Sequence, residues 1–77
     1  MYKNMKIEIN KEQPLDEVVK ELERLGYAKT IGAIFKDTKK SFIIATNQKS
    51  ITWCSSKCVN LLWPEFSLTT LSELKEL

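Results

Sequence analysis

The chain reads as an α+β protein with the element order β-α-β-β-β-α, an antiparallel meander packed against one main amphipathic helix. Three observations predict it. Met5 to Ile9 alternates strictly between apolar and polar residues, residues 14–25 carry an apolar stripe at helical spacing, and β-branched and aromatic runs separated by short polar turns fill the stretch from Ile31 to Ser55. At 77 residues the chain predicts a single domain over 1–77. A domain of this size buries only about 60% of its unfolded surface, so its core is small.

Each element has its own reason. In "MKIEI", Met5, Ile7 and Ile9 point one way while Lys6 and Glu8 point the other, the period of a half-buried strand. In "PLDEVVKELERLG", Leu15, Val18, Val19, Leu22 and Leu25 fall on one helical face. Pro14 suits the first helical position, where a missing N–H costs nothing. Asp16 and Glu17 sit at the positive end of the helix dipole and Arg24 near the negative end. Gly26 is a natural left-handed stop. The runs Ile31–Asp37, Ser41–Thr46 and Ile51–Ser55 predict three strands joined by the turns "TKK" and "NQKS". "SKCVNLLW" then breaks the alternation, as one helical turn or a packed loop, and Pro64 ends it. "TLSELKEL" predicts a short closing helix, with Thr70 and Glu73 at capping-box spacing.

Composition excludes several kinds of chemistry. There is no histidine, which removes the commonest general base and neutral metal ligand. Gly26 and Gly32 are the two glycines, too few for a phosphate-cradling loop. The acid pairs Asp16/Glu17 and Glu21/Glu23 belong to the polar side of the helix rather than to a pocket that would separate their pKa values. No enzymatic activity, metal or cofactor is expected. No apolar run approaches the roughly 18 residues that cross a bilayer, and "MYKNMKIEIN" lacks the apolar segment of a signal peptide. The expected location is therefore the cytoplasm.

Both cysteines and both tryptophans fall within "WCSSKCVNLLW". Cys54 and Cys58 are separated by three residues, whereas the redox motif has two and sits at a helix N-terminus. Two thiols without histidine do not complete a structural zinc site unless two chains share it across a dimer axis. A disulfide is disfavoured in the cytoplasm. The pair reads as small reduced hydrophobes near the core. Trp53 shares a face with Ile51, which places it under the helix. Trp63, with Leu61, Leu62 and Phe66, is either a satellite of the core or an exposed apolar patch, and such patches mark partner or homodimer sites.

The net charge of +2 is unevenly spread. Residues 27–60 hold six lysines against Asp37 alone, while 14–26 and 61–77 are net acidic. Lys36, Lys39, Lys40, Lys49 and Lys57, interleaved with Phe35, Phe42 and Trp53, form the alternative site, a weak nucleic-acid surface that stacks bases between lysines. Against it, Arg24 is the one arginine and lies in the acidic helix, so bidentate phosphate recognition is nearly absent. A further alternative is a small anionic ligand held between protomers by the lysines.

The stretches "LERLGY" (Leu22 to Tyr27), "ITWCSS" (Ile51 to Ser56) and "EFSLTTLSEL" (Glu65 to Leu74) follow one another along most of the chain. In this layout the chain resembles a loose group of small accessory proteins of bacteriophages and prophages. Their pattern is a strand, a helix ending in an "LGY"-like turn, short strands and an "ITLEEL"-like close. Thr69–Thr70 departs from that close. The residues predict a non-enzymatic protein-binding module, and the resemblance implies its context, a modulator or inhibitor of a host or defence protein. It assigns no site residues.

Overall fold

The computed structural model describes residues 3–30 and 41–77. The strand expected over Ile31–Asp37, and with it Phe35, Lys36, Lys39 and Lys40, lies outside them. Among the described residues the order is β1 (Met5–Ile9), α1 (Leu15–Arg24), β2 (Ala28–Lys29), β3 (Ser41–Ala45), β4 (Ser50–Ser55), α2 (Val59–Leu62), β5 (Ser67–Leu68) and α3 (Leu71–Lys75). The α+β class is as the sequence predicts. One mixed sheet runs in the order β2-β4-β3-β1-β5.

The antiparallel part is its centre. β3 pairs with β4 through a tight turn, and β1 pairs with β3, with Ile7 opposite Ile43 and Ile43 opposite Trp53. Lys49 closes that turn with φ of 68°, the left-handed residue that three-residue hairpin loops require. Among the described residues the outer strands differ from a pure meander: β2 runs parallel to β4 and β5 parallel to β1, each over two residues. Two residues carry no readable period, so neither of these strands is visible in the sequence.

Alternation on the central strands sends apolar side chains to both faces. On one face Met5, Ile7, Ile9, Ile43, Ala45 and Ile51 meet Val18, Val19 and Leu22 of α1, with Trp53 packed alongside as expected. Leu71 and Leu74 bring α3 into the same cluster. On the other face Ile44, Cys54 and Val59 form a smaller cluster flanked by Phe42, Trp63 and Phe66.

The caps explain where the helices stop. Pro14 occupies the cap rather than the first helical position, with φ of −66° and ψ of 149°, and its carbonyl accepts the first helical hydrogen bond from Val18 N–H at 3.0 Å. A fixed φ near −65° suits either position; here the extended ψ puts the helix start one residue later. At the other end Tyr27 N–H donates to the Leu22 carbonyl and Gly26 N–H to that of Glu23, both at 3.0 Å. Gly26 has φ of 107°. This double closure is a Schellman motif, and it needs a left-handed residue at the position Gly26 fills. Thr70 and Glu73 form the capping box that their spacing predicts, each side chain accepting from the other's backbone N–H at 3.2 Å.

Candidate functional site

The second face of the sheet carries the surface that the sequence singles out. α2 is one turn long, and Val59 is its buried residue, seated with Ile44 and Cys54. Leu61 and Leu62 N–H both donate to the Cys58 carbonyl, at 3.1 and 2.9 Å, which fixes the turn and directs their side chains away from that anchor. Leu61 is 81% exposed and Leu62 62% exposed. Trp63 ends the helix with φ of −134° and ψ of 55°, since the residue before a proline is disfavoured in the helical region.

Trp63 and Phe66 have a mixed position. Each is half-buried against the Ile44/Cys54/Val59 cluster. Their ring centroids lie 6.4 Å apart with planes at 59°, a tilted aromatic pair. Trp63 is thus neither wholly core nor wholly exposed: it packs against the cluster that α2 covers and keeps part of its surface in solvent. Lys6 reaches the same place, its Nζ donating to Asn60 Oδ1 at 3.4 Å and to the Trp63 carbonyl at 3.5 Å.

Sequence reasoning missed one member. Leu68 on β5 is 66% exposed. It pairs with Lys6, which pairs with Ile44, so all three share the second face. Leu68 thereby adds an exposed leucine on the second face, at β5. The available signal was its place two residues after Phe66, but no period fixes a face in so short a strand.

The basic residues of the alternative site do not converge where they are described. Lys49 lies before β4 and Lys57 beyond its end, on the order of 20 Å apart at the usual rise per strand residue. Nor do the two described aromatics of that site, Phe42 and Trp53, share a face. Phe42 packs on the second face and Trp53 on the first, each half-buried.

The cysteines are both free; Cys54 is buried and Cys58 exposed. Burial pushes the Cys54 thiol up from its ordinary value, and the neighbouring Cys58 adds to the rise. Its Sγ–H donates to the Ser55 carbonyl at 3.2 Å. A raised thiol is the opposite of an activated nucleophile. Among the described residues no group of three or more Cys, Asp or Glu side chains is placed to hold a metal ion. Limited alkylation with iodoacetamide at neutral pH is expected to modify Cys58 well ahead of Cys54, read by mass spectrometry of the digested protein. Equal labelling would mean that Cys54 is not held under α2.

No helix among the described residues is long and apolar enough to cross a membrane. Comparison with protein-family models, curated proteins and solved structures finds no match in any of the three.

Proposed function

We propose that the protein is a non-enzymatic binding module that engages a protein partner through Leu61, Leu62, Trp63 and Phe66. The observation that carries this reading is the pair of leucines standing out side by side on a helix whose third apolar residue, Val59, is its only buried one. A four-residue helix does not form by itself, so the sheet holds two large apolar side chains toward solvent. Trp63 and Phe66 form a rigid base beside them, and tryptophan is enriched among the residues that carry interface energy. The resemblance of the sequence layout to that of phage and prophage accessory proteins supports the narrower reading, a cytoplasmic modulator or inhibitor of a host or defence protein. Catalysis has little to work with in a chain without histidine.

The discriminating variant is Leu62→Asp. Leu62 buries little within the chain, so the substitution should leave the circular dichroism spectrum and the urea midpoint near wild type. It should also remove capture of the partner in an affinity purification followed by mass spectrometry. Retained capture by a folded Leu62→Asp protein would rule this surface out. Trp63→Ala is the less clean choice, because its half-buried ring contributes to the second cluster. Sedimentation velocity over a concentration series separates a second copy of the chain from a different partner.

A further inference from the structure

One of the exposed leucines, Leu68, lines a cleft that also carries the Glu8 and Glu12 carboxylates. Between β1, β5 and the loop that follows β1 lies an open cleft of about 260 Å³. Phe42 and Leu68 supply apolar lining, and Glu8, Asn10, Glu12 and Gln13 line it from β1 and the loop that follows. The register explains the join. Glu8 is the cross-strand neighbour of Phe42, and Phe42, like Trp63 and Phe66, packs against the Ile44/Cys54/Val59 cluster. The volume is below the roughly 300–1,000 Å³ of small-molecule pockets and suits a single side chain better.

The polar side is built rigidly. Asn10 Oδ1 accepts from Glu12 N–H and Gln13 N–H, both at 2.9 Å, and the backbones of Asn10 and Gln13 exchange two hydrogen bonds at 3.1 Å. Gln13 Nε2 donates to the Glu8 carbonyl at 2.6 Å, while Gln13 Oε1 accepts from Leu71 N–H at 2.9 Å. The loop is therefore tied to β1 on one side and to the start of α3 on the other. Glu8 Oε1 accepts from Asn10 Nδ2 at 3.1 Å. Among the described residues no cation pairs with either the Glu8 or the Glu12 carboxylate. Lys6, the basic residue on the same face of β1, points its Nζ at Asn60 and the Trp63 carbonyl instead. Lys11 lies beside Glu12 in the chain without pairing with it.

We infer that the partner of this surface is a protein segment that presents a basic side chain next to its apolar contacts, with the basic group received between Glu8 and Glu12. The inference rests on the protein-binding reading above and specifies the chemistry of the occupant. The apolar residues lie over Leu62, Leu68, Trp63 and Phe66. The basic stem lies along Phe42 and Leu68, and its charge meets the two carboxylates. Arginine suits the cleft better than lysine, because its planar guanidinium stacks on an aromatic face and forks onto carboxylates.

The test is selection of a random peptide library on the immobilised full chain, in parallel with Leu62→Asp and with the Glu8→Gln/Glu12→Gln double variant. All three proteins are first checked by circular dichroism. The expected result is enrichment of peptides with an arginine or lysine beside large apolar residues on the wild type. The double variant should keep the apolar preference and lose the basic one, and a basic peptide selected on the wild type should bind it about threefold or more weakly, the scale of a partly exposed ion pair. Apolar enrichment without a basic preference would overturn this inference and leave the protein-binding reading standing. No enrichment, or enrichment that survives Leu62→Asp, would overturn both. A concentration-dependent dimer that Leu62→Asp and Glu8→Gln/Glu12→Gln leave intact, and that blocks peptide binding, would also overturn it, because a second copy would then cover the face.

Discussion

Ile43→Ala is expected to cost about 4 kcal/mol, the upper part of the range for deleting a buried isoleucine. Ile43 is 0% exposed. It sits at the centre of β3, with Ile7 opposite it on β1 and Trp53 on β4, and α1 lies against this strand. No neighbour can close the gap by a small shift, because sheet pairing holds it on two sides and the helix on the third. A chain of this length has on the order of 4–12 kcal/mol in total, so the variant loses much of its stability. With a urea slope of about 1 kcal/mol/M for so small a domain, the midpoint should fall by several molar. Ile43→Val, which removes one methylene, should cost only about 1 kcal/mol. A loss below that for Ile43→Ala would mean that the core does not centre on β3.

Leu74→Ala is expected to release the closing helix at a cost of about 3 kcal/mol. Five residues do not make a stable helix in water, so α3 persists because Leu71 and Leu74 are buried in the cluster under α1. Leu74 is 0% exposed. Its carbonyl accepts from Arg24 Nη2 at 3.1 Å, which ties α3 to the C-terminal end of α1, and Gln13 holds the Leu71 N–H at the other end. The capping box between Thr70 and Glu73 is worth about 1 kcal/mol and does not replace that packing. Amide hydrogen exchange should show protection lost together over Leu71–Lys75, with the core of β3 and β4 still slow. Uniform loss across the sheet would make α3 part of the same cooperative unit as the strands. Because Gln13 links α3 to the loop bearing Glu12, Leu74→Ala should also loosen the acidic cleft.

The elements that were legible in the sequence are those whose side chains repeat. The stripe from Leu15 to Leu25 specifies α1 within a residue at each end, because five apolar residues share one face and Gly26 supplies the left-handed stop. The alternation of Met5, Ile7 and Ile9 predicts both the strand and the face it buries. Trp53 lies on the Ile51 face for the same reason. The capping box forms because it is purely local. In the candidate site the sequence named Leu61, Leu62, Trp63 and Phe66 as a group but left open whether they were core or surface.

Tertiary structure decided the rest. Leu62 and Trp63 are adjacent, yet one stands out and the other leans on Ile44, Cys54 and Val59. That difference depends on where the sheet's second face lies beneath α2. The strand pairings β1–β5 and β2–β4 join segments far apart in the chain over two residues each, too short to leave a period. Glu8 reads in sequence as an ordinary solvated strand residue. It becomes one wall of a cleft only because β5 places Leu68 beside β1, and because Asn10 and Gln13 hold the following loop against α3. Local repetition thus determined which segments become strands and helices and which side each buries. Which exposed side chains end up as neighbours depended on long-range pairing, since that is set by the summed packing of the whole sheet rather than by any one segment.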